Sequence, residues 1–148
     1  MVNKLIHLGI DWEDFALAFY DKGFLKSYKE FSNDFVYETR YLLDLLEREK
    51  IHCTFFCNGR TAEIYPNLLK EISNNGHHIA SHGYLHKHRE KFSEEQFLDD
   101  CIKSKQKLEE IIKRKIKGYR SPYLSLKKNY ISSLKLLIKA GYTFDSSI

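Results

Sequence analysis

The strongest constraint on the fold is a regular alternation of short apolar runs with longer amphipathic ones. Residues 4–10, 51–57, 77–81, 116–119 and 142–145 form five short β-type runs. Between them the spacing is helical. Over residues 34–50, Phe35, Leu42, Leu43 and Leu46 share one face, and Asn33 or Asp34 is placed to cap it. Tyr65, Leu68, Leu69 and Ile72 mark a second helix that ends before Gly76, which suits a left-handed C-cap. Ser93-Glu-Glu-Gln96 is a capping box opening a third, with Phe97, Cys101, Leu108, Ile111 and Ile112 on its core face. Residues 128–140 form a fourth, closed by Gly141. Five strands alternating with four helices predict a parallel α/β architecture.

Other classes fall away on composition. No apolar run reaches the ~18 residues of a membrane span. The start, MVNKLIHLGIDWEDF, lacks the apolar core and small-residue cleavage site of a signal peptide, so the expectation is a cytoplasmic protein. An odd cysteine count of three argues against a disulfide framework. The net charge of +4 is local. Eight basic residues between Lys103 and Arg120 face only Glu109 and Glu110, and this segment reads as a solvated helix face, with no nucleic-acid partner expected.

Candidate chemistry gathers where the strands end. In parallel α/β folds, ligands sit outside the carboxyl ends of the strands. The five runs are followed by Asp11-Trp-Glu-Asp14, Asn58-Gly-Arg60, His82-Gly-Tyr-Leu-His86, Arg120-Ser-Pro-Tyr123 and Asp145-Ser-Ser147. Asp11, Glu13 and Asp14 repel one another if they converge, and a cation or a shared proton relieves that. Taken alone, the acidic triplet fits a solvated loop with Asp14 as a helix cap at least as well. His82 and His86 are spaced for one metal if the turn between them is tight, and imidazole with carboxylate suits zinc and its neighbours. One of His77 and His78 should face the core, and His88 solvent. Ser121 precedes Pro122 and is forced extended, which aims Arg120 and Tyr123 at the rim. Cys53, Cys57 and Cys101 read as core residues. The segment from Asp11 to Asn33 is long for a βα loop, which marks it as functional or disordered.

These motifs resemble the polysaccharide deacetylases of the NodB-homology type, carbohydrate esterase family four. Asp11-Trp-Glu-Asp-Phe15 looks like an Asp-x-Glu-Asp-aromatic variant of the family's first motif. Thr54-Phe-Phe-Cys-Asn-Gly59 is similar to its second-strand signature. The stretch from Gly76 to His86 resembles its His-x-x-x-His metal motif, and Gly118-Tyr-Arg-Ser-Pro-Tyr123 its Arg-x-Pro-aromatic motif. Gly141-Tyr-Thr-Phe-Asp-Ser-Ser147 resembles the strand that follows.

The resemblance implies a distorted (β/α) barrel, a divalent metal, commonly Zn2+, and hydrolysis of an N-acetyl group on a sugar or polysaccharide. Carried onto this chain, it makes Asp11 the catalytic base, His82 and His86 metal ligands, and Glu13 or Asp14 the third ligand, with Asp14 favoured by residue type. Arg120 would orient the base, and the backbone N–H of Tyr123 would help hold the oxyanion. Residues 1–148 then form the N-terminal part of a NodB-homology domain, with about five strands and without the family's late Leu-His motif. A (β/α)8 barrel typically takes about 250 residues. The expected partners are therefore an N-acetylated glycan and an oligomer or partner chain that completes the barrel. Two other readings compete: a metal-independent hydrolase of another C–N bond, and a truncated, non-catalytic metal-binding fragment.

Overall fold

A computed structural model of the chain describes residues 6–15, 32–127 and 130–148. The long segment after Asp14 and the start of the fourth expected helix lie largely outside these residues. Strands β1 (Gly9–Trp12), β2 (Thr54–Cys57), β3 (His78–Ser81), β4 (Gly118–Tyr119) and β5 (Phe144–Asp145) form one parallel sheet in sequence order. Helices α1 (Ser32–Arg48), α2 (Gly59–Ile64), α3 (Pro66–Asn74), α4 (Glu94–Ile112) and α5 (Tyr130–Lys139) fill the connections. Among the described residues, no helix is long and apolar enough to cross a membrane.

Strand extent follows pairing rather than hydrophobicity. Gly9, Ile10, Asp11 and Trp12 stand opposite Thr54, Phe55, Phe56 and Cys57. The first strand therefore runs later than residues 4–10 and includes Asp11. Alternation does the rest. Ile10 and Trp12 pack into the helix-side core, and Asp11 points to the opposite face.

Helix boundaries differ from the sequence reading in two places. Asn58-Gly59 leads from β2 straight into a short helix. Asn58 caps α2, its Oδ1 accepting the Thr61 N–H at 3.1 Å. Pro66 then forces a break, because it has no N–H and crowds the preceding turn. The expected second helix is α3, and α2 is a further short helix that precedes it and joins it at Tyr65. The first described helix begins at Ser32, so Asn33 and Asp34 lie in its first turn, where the Asp34 carboxylate complements the helix dipole. The capping box at Ser93 and Gln96 forms as expected, and Gly76 has φ +84° just past α3.

The core lies between the sheet and the helices, built on Trp12, Phe55, Cys57, Leu69, Ile72, Phe97, Cys101, Leu108 and Tyr119. Each large apolar side chain fully buried here contributes about 1.5–3 kcal/mol. All three cysteines are free and buried, and burial pushes the Cys53 thiol up to about 11. All three pack in the core. His77 is buried, with Nδ1 accepting the Cys53 N–H at 3.4 Å, whereas His78 is exposed.

Candidate metal centre

The site is assembled at the carboxyl end of the sheet. Asp11 comes from β1, Glu13 from just beyond it, His82 from the residue after β3, and Arg120 from the residue after β4. His86 stands four residues past His82 on a tight turn rather than a helix. Gly83 and His86 both adopt left-handed backbone, at φ +69° and +49°. Asn58 and Asp100 shape that turn. Asn58 Nδ2 donates to the Gly83 and Tyr84 carbonyls at 3.3 and 3.0 Å. The Asp100 carboxylate accepts the Tyr84 and Leu85 N–H groups at 2.8 and 2.9 Å. Asn58 stands among the strand-end residues of the sequence reading, without this role, whereas Asp100 is not singled out there. The available signal was a buried polar residue, Asp100, beside Cys101 on the apolar face of α4.

Glu13, His82 and His86 each bring one ligand atom to within 4.8 Å of the others, the group that converges in this way among the described residues. His82 is almost fully buried, and its Nδ1 lies 2.9 Å from the Arg120 carbonyl oxygen. A carbonyl only accepts, so Nδ1 carries the proton and Nε2 presents a lone pair. That lone pair faces Glu13 Oε2 at 3.4 Å, and His86 Nε2 contacts the same oxygen. Glu13 Oε2 is sealed from solvent and accepts no hydrogen bond. Acceptors facing one another repel unless a proton or a cation lies between them. Two imidazoles and a carboxylate are the donor set of zinc-type ions, and a carbonyl fixing the far nitrogen of a ligand imidazole is how such sites set the tautomer. The residues fit a divalent cation. Burial penalises charge on Glu13. With protons rather than a cation between the rings and the carboxylate, hydrogen bonds and charge from His82 and His86 outweigh that penalty and hold the Glu13 carboxyl at about 2.

Asp14 lies elsewhere. It is buried, its Oδ2 accepts the Tyr65 hydroxyl at 3.0 Å, and its N–H reaches Thr61 Oγ1 at 3.3 Å. The choice of Asp14 by residue type is therefore not what the geometry supports. Strand alternation explains this: Asp11 and Glu13 share a face, and Asp14 turns toward the helices.

Asp11 stands beside the cluster, with Oδ2 3.9 Å from His82 Nε2. Its other oxygen takes a 2.8 Å bond from Arg120 Nη1. The guanidinium is itself fixed: Nε donates to the Ser146 carbonyl at 3.1 Å, Nη2 to Ser146 Oγ at 3.0 Å, and Cζ lies 3.8 Å over the Phe56 ring. Gly9 leaves the room, since a Cβ there would stand 2.8 Å from Nη2. Tyr123, at φ +58° and mostly exposed, sets its ring 4.9 Å from that of His86. His88 is half-buried, not fully exposed, on the outer side of Tyr123, with ring centroids 6.2 Å apart.

The sequence profile of the polysaccharide deacetylases matches residues 21–144. The chain belongs to the polysaccharide deacetylase family. It is 33% identical over 93 residues to a peptidoglycan-N-acetylglucosamine deacetylase of Bacillus cereus, a match covering 63% of this chain and 34% of that one. It is 27% identical over 130 residues to the peptidoglycan-N-acetylmuramic acid deacetylase PdaA of Bacillus subtilis, covering 83% and 49%. Among solved structures it superposes on BA3943 of Bacillus anthracis, a family-four pseudoenzyme. The TM-score is 0.68 at 18% identity, over 74% of this chain and 38% of that one. The polysaccharide deacetylase chain described here thus spans about a third to a half of the relatives it matches. Its five-stranded parallel sheet is part of their barrel-type α/β fold.

Proposed function

We propose that this polysaccharide deacetylase chain forms the metal-binding and base-bearing part of a hydrolase that removes an N-acetyl group from an amino sugar in a polysaccharide or glycan precursor. The observation that carries this is the placement of the Asp11–Arg120 pair against the Glu13–His82–His86 cluster. Peptidoglycan deacetylases among the relatives favour a cell-wall glycan as the substrate class.

Glu13, His82 and His86 would hold a divalent cation, Zn2+ by donor type. Bound there, the ion supplies Lewis acidity toward an amide oxygen and a lowered pKa for water. The residues do the rest. Arg120 holds one oxygen of Asp11 and leaves the other facing the cluster. Asp11 takes the proton of the attacking water. The fixed guanidinium prevents Asp11 from turning away, so the base is in place before substrate arrives. Tyr123 walls the site on the His86 side and offers a ring face to a sugar.

The test is acetate release from an N-acetylglucosamine oligomer by the purified chain, with Zn2+ and with a chelator. Chelator-sensitive release supports the reading. Stoichiometric zinc without release supports a second reading, a non-catalytic metal-binding fragment. Release that persists without metal would favour the metal-independent hydrolase.

A further inference from the structure

Arg89 is buried, 3% exposed, and no carboxylate pairs with it among the described residues. Its Nε donates to Ser133 Oγ at 2.9 Å and its Nη1 to the Phe92 carbonyl at 3.1 Å. Its Cζ lies 4.4 Å over the Phe97 ring. An unpaired buried cation is costly, and an apolar side chain of similar volume is often as stable or more so. Such a residue is hard to explain by stability. What it has that a methionine would lack is direction.

That direction bears on the metal centre. Arg89 lies three residues past His86 and opens the short 3-10 turn Arg89–Lys91. Its side chain pins this turn against α4 and α5. Its backbone N–H donates to Ser125 Oγ at 2.9 Å. Ser125 Oγ in turn lies 2.7 Å from the Pro122 carbonyl and 3.0 Å from Ser121 Oγ. Ser125 therefore joins the loop that carries His86 to the loop that carries Arg120 and Tyr123. Both loops hold left-handed non-glycine residues at the rim: His86 at φ +49°, Tyr123 at +58° and Leu124 at +48°. Such conformations persist where the surroundings over-determine them. Tyr123 also packs on His86, a further contact between the two loops.

We infer that Arg89 and Ser125 form a buried clamp that fixes the His86 loop against the Arg120–Tyr123 loop, making Arg89 a positioning residue for the metal centre. The inference rests on the metal reading of Glu13, His82 and His86. The clamp acts through backbone placement; Arg89 touches no ligand atom.

The experiment compares the wild-type chain with Arg89→Met, Arg89→Lys and Ser125→Ala. Zinc affinity is measured by competition with a chromophoric chelator. The visible absorption spectrum of the cobalt(II)-loaded protein reports ligand geometry. The Tm of the metal-free protein reports fold stability. Removing outer partners of a metal site commonly weakens affinity ~10–100-fold. Arg89→Met should fall in that range and alter the cobalt spectrum, with the metal-free Tm unchanged or raised. Arg89→Lys, which keeps charge but not the fork, should not restore affinity. Ser125→Ala removes the cross-loop bond together with the bonds of Ser125 Oγ to the Pro122 carbonyl and Ser121 Oγ, disturbs no buried charge, and should still weaken zinc about tenfold. If Arg89→Met does not fold, Ser125→Ala decides the question. Variants with wild-type affinity and cobalt spectrum, whatever their Tm, overturn the clamp alone. A wild-type chain that binds neither zinc nor cobalt overturns the metal reading and the clamp with it.

Discussion

Arg120 and Asp11, 109 residues apart in sequence, meet at 2.8 Å although their strands are not neighbours in the sheet. Two strands lie between them. In a flat sheet three spacings of ~4.8 Å would separate β1 from β4, too far for one arginine to cross. The contact exists because the sheet curls, which makes its inner face concave and turns the strand ends into one mouth. The same curl brings Glu13 onto His82 and His86.

The separation of roles between base and ligands predicts different losses. Asp11→Asn should keep zinc with affinity within about threefold and lose ~10²–10⁴-fold in turnover, the usual range for a positioned base. Arg120→Met should also keep metal, because His82 uses the arginine's backbone carbonyl rather than its side chain. Its turnover should fall less than that of Asp11→Asn. Isothermal titration with zinc and steady-state acetate release on the same samples check both.

Glu13 and Asp14 can be told apart directly. Glu13→Gln removes the carboxylate that meets both imidazoles, and zinc binding should weaken ~10²-fold or more, beyond the effect of outer-partner changes. Asp14→Asn keeps an acceptor for the Tyr65 hydroxyl and should bind zinc like the wild type. A reversed order of affinities would return the ligand role to Asp14.

Gly9 is a packing requirement of the base's partner. Gly9→Ala places a methyl against the Arg120 guanidinium and near the edge of the Phe56 ring, at 2.8 and 3.0 Å. Overpacking of this kind costs about 1–3 kcal/mol. The variant should unfold at lower denaturant concentration and lose turnover through displacement of Arg120. Urea melts paired with the acetate assay test it.

Metal and fold should be linked. A cation that binds only the folded chain stabilises it by about 4 kcal/mol at a thousandfold excess over Kd. Adding a chelator to zinc-loaded protein should therefore lower Tm, and the drop should vanish in the His82→Ala, His86→Ala double variant. An equal drop in that variant would place the metal elsewhere.

Much of this was legible in the residues. The alternation of β-type and helical runs gave the parallel α/β order, because pattern and burial obey the same periods of two and 3.6. The capping box at Ser93, the C-cap at Gly76 and the burial of the cysteines are local and followed directly. Asp11, His82 and Arg120 stood out because each directly follows a strand-like run, Glu13 as part of the acidic triplet begun by Asp11, and His86 by its spacing from His82. The sequence could not choose Glu13 over Asp14, because that choice depends on where β1 begins, and β1 is defined by its pairing with β2. It could not show that Asp100 and Asn58 hold the turn between the histidines, since both bonds join residues far apart in the chain. Nothing in the sequence marks Arg89 as a buried cation. Only the packing of α4 and α5 encloses it, and only the curl of the sheet brings Arg120 across to Asp11. Local chemistry is written residue by residue; which acceptor faces which donor is decided when strands and helices close around them.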